Sequence, residues 1–261
     1  MNRETIDKLL DLSGKTAIVT AGGAGIGREC CLLLARAGAN VMVSSRTYSH
    51  AREVADEITN EGGIADAIAA DVSDDNALQE IVKATIDRFG AINILVNNAG
   101  RANGGREDPL TVTPDYVELM FRINVIAPWR LTSLCAPHMQ KAGYGSVINI
   151  SSMSSVDKSP RMFVYGATKA ALNHMAANLA FDLGPMGIRI NNVGPGATRT
   201  GALQSVLTPE IERSMLRHTP LGRLGETSDI ATAVLFFAAP ASAWISGQTL
   251  FVNGGGSQTL E

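Results

Sequence analysis

Tyr165 and Lys169 stand four residues apart in YGATK, a spacing that puts both side chains on one face if a helix forms there. A phenol near its ordinary pKa of about 10 is a poor base at neutral pH. A fixed cation about 5 Å away, at an effective dielectric near 20, supplies about 3 kcal/mol, or roughly two pKa units of acidification. The pair could then exchange a proton with an alcohol or carbonyl oxygen. Upstream, the run SVINISS ends at Ser152, whose hydroxyl could hydrogen-bond the same oxygen. The competing reading is an amphipathic helix that shows a tyrosine and a lysine to solvent.

A second cluster suits phosphate rather than protons. TAGGAGIG (20–27) carries Gly22, Gly23, Gly25 and Gly27 around Ile26, directly after one β-branched run and before a helical one. Glycine there lets the backbone approach a pyrophosphate, whose charge the amides and dipole of the next helix stabilise. A bare βα turn also uses glycine, and the spacing differs from G-x-G-x-x-G. The next apolar run ends at Ser45-Arg46 with no acid. A ribose 2′-hydroxyl usually finds a carboxylate at that place, whereas a 2′-phosphate calls for arginine. NADP(H) is therefore the preferred cofactor, with NAD(H) possible, unless Arg46 is only a solvated surface residue.

These groups need a frame that brings distant segments together. KTAIVT (15–20), VMVSS (41–45), INILVNNAG (92–100), SVINISS (146–152), IRINNV (188–193) and TLFVN (249–253) are bounded by Gly, Asn or Ser and read as buried strands, with 64–72 a weaker seventh. Between them, apolar residues recur at three- and four-residue spacing. The alternation predicts an α/β fold: a single domain over 1–261 with a Rossmann-type doubly wound parallel sheet of about seven strands flanked by helices. Ligands of such sheets bind beyond the carboxyl ends of the strands, where both clusters fall.

Composition narrows the classes. The 261 residues are 45% apolar and 18% charged, with net charge −3, so a large core is expected and disorder is not. No basic block marks a nucleic-acid partner. The uncharged stretch 230–260 is interrupted by Pro240, Gly247 and Gly254–Gly256, so no membrane span is expected. Cys30, Cys31 and Cys135 make a poor disulfide framework, and the charged N-terminus lacks an apolar leader; a cytoplasmic setting is expected. Cys30 and Cys31 read as packing residues. His50, His138, His174 and His218 show no ligand spacing, so no metal is expected.

TAGGAGIG, NNAG (97–100), the Ser152/Tyr165/Lys169 spacing and PGATRT (195–200) together resemble the short-chain dehydrogenase/reductase family, over nearly the whole chain. The resemblance implies hydride transfer between a nicotinamide and a carbinol carbon. Tyr165 would exchange the proton, Lys169 would lower its pKa and hold the nicotinamide ribose, and Ser152 would hold the reacting oxygen. Asn124, in FRINVIAP, would complete a proton relay through water. Asp71 and Val72 would contact the adenine, and Asn98, Ala99, Gly100, Pro195, Gly196 and Thr198 would line the cofactor cleft. Thr200 would orient the carboxamide. A homotetramer is also implied. Ala21 departs from the family pattern, which has glycine directly after the threonine.

The substrate is less legible. Leu203, Val206, Leu207, Ile211, Met215 and Leu216, broken by Thr208-Pro209, fit either an apolar lid over a bulky substrate (about 198–225) or a helix packed on the core. The C-terminal third, including SVLTPEIERSMLRHTPLGRLGE and SQTLE, is similar to the bacterial 7α-hydroxysteroid dehydrogenases of this family, which implies a steroid or bile-acid substrate. A 3-oxoacyl-[acyl-carrier-protein] reductase, a sugar or polyol dehydrogenase, and a dinucleotide sensor without turnover are the alternatives. Arg101, Arg161, Arg199 and Arg217 are candidates to hold a substrate carboxylate.

Overall fold

The computed structural model describes residues 3–102, 107–158, 160–217 and 219–256. Gly104, His218 and the SQTLE segment lie outside them. Seven parallel strands form one sheet in the order β3-β2-β1-β4-β5-β6-β7: β1 Thr16–Val19, β2 Asn40–Ser45, β3 Ala65–Ala69, β4 Ile94–Asn97, β5 Gly145–Ile150, β6 Ile188–Pro195 and β7 Thr249–Val252. The weak seventh run is β3, an edge strand. It is only half-buried, and its ADAIA sequence carries less apolar signal for that reason. The order reverses between β1 and β4, the topological switch point where such sheets open a ligand crevice.

Helices cover both faces, because β1, β4 and β5 bury every residue and leave no side for water. On one face α2 (Gly25–Arg36), α3 (Tyr48–Asn60) and α10 (Thr227–Ala238) bury Cys30, Leu34, Val54, Ile58, Val234 and Phe237. On the other α4 (Asp75–Phe89), α6 (Ala127–Ala142) and α7 (Phe163–Leu183) bury Leu78, Ile81, Leu131, Met139 and Ala176. Cys30, Cys31 and Cys135 are free and buried, and burial pushes their thiols up, so they pack as small apolar groups. No helix among the described residues is long and apolar enough to cross a membrane.

The carboxyl ends of the central strands are tied together by buried amides. Asn97 Nδ2 donates to Asn149 Oδ1 at 2.9 Å, Asn149 Nδ2 to Asn192 Oδ1 at 2.9 Å, and Asn192 Nδ2 to Thr249 Oγ1 at 3.0 Å. This chain crosses four strands beneath the cleft and locks their register. Asn149→Ala removes both links of its middle member and leaves Asn192 Oδ1 buried without its donor. The expected cost is about 2–4 kcal/mol, read as a Tm lowered by roughly 5–10 °C in a thermal melt; an unchanged Tm would show the ladder to be idle.

Candidate active site

β5 delivers Ser152. Its Oγ accepts from Ser154 N at 3.1 Å and starts the tight turn Met153–Ser155. Ser155 Oγ donates to the Ser152 carbonyl at 2.6 Å and accepts from Asn173 Nδ2 of α7 at 2.9 Å. The serine is thus held by the helix that bears its partners. Tyr165 occupies the first turn of α7, and Lys169 lies one turn on, as the four-residue spacing requires.

Lys169 is 3% exposed, and its Nζ donates to the Ile150 carbonyl at 2.7 Å and lies 5.8 Å from the centre of the Tyr165 ring. Here the electrostatic expectation needs correction. Burial raises the Tyr165 phenol above its ordinary value, with only the Ser152 hydrogen bond working downward. Burial also pushes the Lys169 ammonium down to about 8. Desolvation of both groups on folding outweighs the attraction of the cation for the phenolate.

Asn124 is held in a hydrogen-bond network of its own. It sits in a π-helical turn, Arg122–Ile126, between α5 (Pro114–Phe121) and α6, with its side chain fully buried. Its Oδ1 accepts from Arg101 N at 2.8 Å, and its Nδ2 donates to Arg101 O and Thr168 Oγ1, both at 3.0 Å. The amide clamps the loop after NNAG to α7.

Two adjoining hollows form one trough. The first, about 340 Å³, is lined by Ile26, Asn98, Gly100, Arg101, Ser152, Tyr165, Lys169, Pro195, Gly196, Thr198 and Thr200. The second, about 400 Å³, is lined by Gly23, Ser45, Arg46, His50, Asp71, Val72 and Ala99, and shares Gly100 and Arg101 with the first. Gly22 and Gly27 lie beneath it. A Cβ on Gly22 would come within 2.8 Å of Cys31 Sγ, and one on Gly27 would overlap Ala21 O and Asn98 Nδ2. Gly25, at φ +54°, opens α2, and no side chain from Ala24 caps the amides of its first turn.

Ala21, the departure from the family pattern, sits at φ +51°, where an alanine is strained. The surrounding loop holds it there. Asn98 Nδ2 donates to Thr20 O at 3.0 Å and Ala21 O at 3.2 Å, while Thr20 Oγ1 accepts from Asn98 N and Ala99 N at 3.0 and 2.9 Å. Asn98 therefore builds the turn as well as facing the cleft. Asp71 accepts from Ser73 N and Ser73 Oγ at 2.9 and 2.7 Å, which with the nearby Arg46 holds its carboxyl below the usual range. Thr200 caps α8 (Gly201–Gln204) by accepting from Leu203 N at 3.3 Å.

The apolar segment after Thr200 forms α8 and α9 (Pro209–Leu216), and neither buries a residue completely; Val206 between them is 53% exposed. Leu203, Leu207, Met215 and Leu216 are half-buried, so the segment lies against the body of the protein without entering its core. Arg199 ties it down through ion pairs to Glu212 of α9 and to Glu226. Of the four candidate arginines, Arg101 lines the trough, Arg199 is engaged in those pairs, Arg217 bonds Ser214, and Arg161 is an exposed residue preceding α7.

Glu107 escaped the sequence reading. It is 1% exposed, and its carboxylate caps the start of α7. The signal was the absence of Ser, Thr, Asp or Asn at the helix's own cap, Met162. That absence says a partner must come from elsewhere, without saying which.

A family model described as enoyl-(acyl carrier protein) reductase matches residues 20–257. The 7α-hydroxysteroid dehydrogenase of Escherichia coli is 45% identical over 251 residues, covering 96% of this chain and 97% of that protein. A solved 7α-hydroxysteroid dehydrogenase, complexed with NADH and 7-oxo glycochenodeoxycholic acid, superposes with a TM-score of 0.93 at 44% identity, each chain covered in full. A gluconate 5-dehydrogenase from Burkholderia cenocepacia, in complex with NADP and tartrate, gives 0.90 at 32% identity over 96% of this chain and 98% of that one. With the switch-point trough, the glycine turn and the Ser152/Tyr165/Lys169 cluster in one fold, these matches establish that the chain belongs to the short-chain dehydrogenase/reductase family of oxidoreductases.

Proposed function

We propose that this protein interconverts the 7α-hydroxyl of a bile acid or related hydroxysteroid with the ketone, using NADP(H) in preference to NAD(H). The observation that carries the reaction class is the convergence of Ser152, Tyr165 and Lys169 in one trough at the strand ends. The nearly complete coverage of 7α-hydroxysteroid dehydrogenases at 44–45% identity supports the substrate class. The half-exposed apolar face of α8 and α9 supports an apolar partner over a sugar.

The trough suits a nicotinamide dinucleotide. Uncapped amides at the start of α2 favour its diphosphate, and Gly22 and Gly27 leave no room for side chains under the turn. When bound, the dinucleotide supplies or accepts the hydride. Ser152 Oγ hydrogen-bonds the substrate oxygen, and the Tyr165 phenol gives it a proton on reduction or takes one on oxidation. Lys169 holds positive charge beside the ring and is available to the nicotinamide ribose. Asp71 and Val72 border the adenine end. The Asn124 amide holds the Arg101 backbone at the trough's edge, Arg101 meets a substrate carboxylate there, and Asn124 completes a proton relay through water. Free, buried cysteines fit a cytoplasmic setting, and exposed Trp129, Phe181 and Trp244 fit the homotetramer of the family, which light scattering on the purified protein would measure.

The direct test mixes the protein with NADP⁺ and cholate and follows absorbance of the reduced nicotinamide, with an acetoacetyl thioester and NADPH in parallel. Turnover of cholate supports the reading. Turnover of the thioester alone would replace it with a 3-oxoacyl reductase.

Cofactor choice rests on Ser45 and Arg46, which border the trough with no carboxylate on their own strand end. A charge-assisted bond to a 2′-phosphate contributes about 1.5–3 kcal/mol. Arg46→Ala is therefore expected to raise the KM for NADPH roughly 10- to 100-fold and to leave that for NADH nearly unchanged. Equal changes for both cofactors, measured by steady-state kinetics, would remove Arg46 from cofactor selection.

A further inference from the structure

The helix that carries Tyr165 and Lys169 begins without a cap of its own, since Met162 makes no side-chain bond to it. Its first-turn amides are met by a carboxylate that arrives from far away in the chain. Glu107 Oε2 accepts from Val164 N at 2.7 Å, and Oε1 accepts from Tyr165 N at 3.1 Å and from Tyr116 Oη at 2.9 Å. The backbone of the same residue donates from Glu107 N to Arg161 O at 3.0 Å, so residue 107 grips the start of α7 from both sides. Arg161 itself sits at φ +57°, a conformation that a non-glycine residue keeps only when its surroundings impose it.

A carboxylate that is 1% exposed needs compensation for lost water. Three donors and the positive end of a long helix provide it here. Such a fully satisfied ion holds a narrow geometry, because any shift lengthens charge-assisted bonds in a low-dielectric site. The bonded amide is that of Tyr165 itself. Tyr116 belongs to α5, which runs through the π-turn to Asn124, the residue that clamps Arg101 and Thr168. Glu107 thus joins the wall of the trough to the residue whose phenol faces it.

We propose that Glu107 is a positioning residue for the proton-exchanging tyrosine: by holding the Tyr165 amide it sets the height and rotation of the first turn of α7, and so the place of the phenol relative to Ser152. The proposal rests on the reading of Tyr165 as the proton-exchanging group. A misplacement of about 1 Å near reacting atoms can cost on the order of 100-fold in rate, whereas a cap that served stability alone would change Tm and leave kcat intact.

Glu107→Gln keeps the shape but turns an NH₂ toward donors, and Glu107→Asp keeps the charge but draws it back by one methylene. Both are assayed well below their Tm with whichever of cholate or acetoacetyl thioester the wild-type protein turns over. For Glu107→Gln, kcat is expected to fall about 10- to 100-fold while the dinucleotide Kd, from quenching of intrinsic fluorescence, stays within about twofold, with the aspartate variant intermediate. Hydrogen exchange should quicken at residues 162–166 and not across the rest of the sheet. In a Tyr165→Phe background the Glu107 change should cost no further rate.

Wild-type kcat in a folded Glu107 variant, or an equal further loss in the Tyr165→Phe background, would overturn the positioning role. If glutamine prevents folding, the aspartate variant decides on the same readouts; if neither folds, Glu107 is a structural cap and the proposal falls. Full activity in Tyr165→Phe alone would instead sink the reading on which the proposal depends, as would absence of turnover by the wild-type protein.

Discussion

Tyr165→Phe is expected to lower kcat by about 10²–10⁴-fold while the protein still folds and binds its dinucleotide. On the proposed mechanism the phenol, which lines the trough with Ser152, carries the proton, and Lys169 is buried and bonded to the Ile150 carbonyl. Removing one oxygen deletes the proton path and leaves the glycine turn, α2 and the adenine end untouched. Because Phe keeps the ring, the loss should fall on kcat, with the dinucleotide Kd unchanged. Retained turnover would refute the mechanism.

The same environment sets a pH dependence. Burial raises the Tyr165 phenol, so it is protonated at neutral pH and ready to donate to a ketone. Alcohol oxidation needs the ionised form and should gain as pH rises above neutrality, while reduction, which needs the protonated form, stays level until the pH nears the raised phenol. Lys169 loses its charge around pH 8 in the same range, which removes part of the support for the phenolate and flattens that gain. Rate profiles in both directions would reveal the difference, rising for oxidation and level for reduction. A parallel rise in both would contradict it.

Gly27→Ala should damage the protein more than any other single methyl group near the trough. The added carbon overlaps a main-chain carbonyl, Ala21 O, and the Asn98 amide that bonds it. The carbonyl is main chain and cannot swing away, and the Asn98 amide can do so only by giving up its bonds to Thr20 O and Ala21 O. Relief requires α2 to move off the turn, breaking the Asn98 bonds to Thr20 O and Ala21 O that keep Ala21 in its strained conformation. Overpacking and two lost hydrogen bonds together come to about 3–5 kcal/mol. The expected outcome is a Tm lowered by roughly 10 °C and a dinucleotide affinity too weak to titrate. Gly201→Ala, with open space around its Cβ, serves as the control and should change neither. A Gly27→Ala protein that melts and binds like the wild type would show that the turn is looser than its contacts suggest.

Much of this was legible in the residue order. Short apolar runs located the strands most clearly in the centre of the sheet, where both faces are buried; the half-buried edge strand β3 gave the weakest run. The Tyr165/Lys169 pair was readable because α-helical geometry converts a spacing of four into a shared face. The glycine turn was readable because its need for room beneath the backbone restricts residue type locally. Each of these signals rests on neighbours in sequence, and local rules suffice for them.

What escaped depended on residues brought together from far apart. The sign of the Tyr165 shift turns on desolvation, which is a property of everything packed around the ring. The bonds of the Asn124 amide to Arg101 and Thr168 join residues 23 and 44 positions away in the chain, which its own segment does not announce. The segment 201–216 carries an apolar pattern that a buried and a surface helix share, and only folding leaves it without a fully buried residue. Glu107 has no local mark at all, because its partner amides lie 57 and 58 residues further on. Residue order was enough to specify the strands, the turn and the spacing of the reacting groups, since each obeys a short-range geometric rule. Their pKa values, the cap on α7 and the exposure of residues 201–216 emerged only on folding, because burial and long-range hydrogen bonds exist only once the chain has packed.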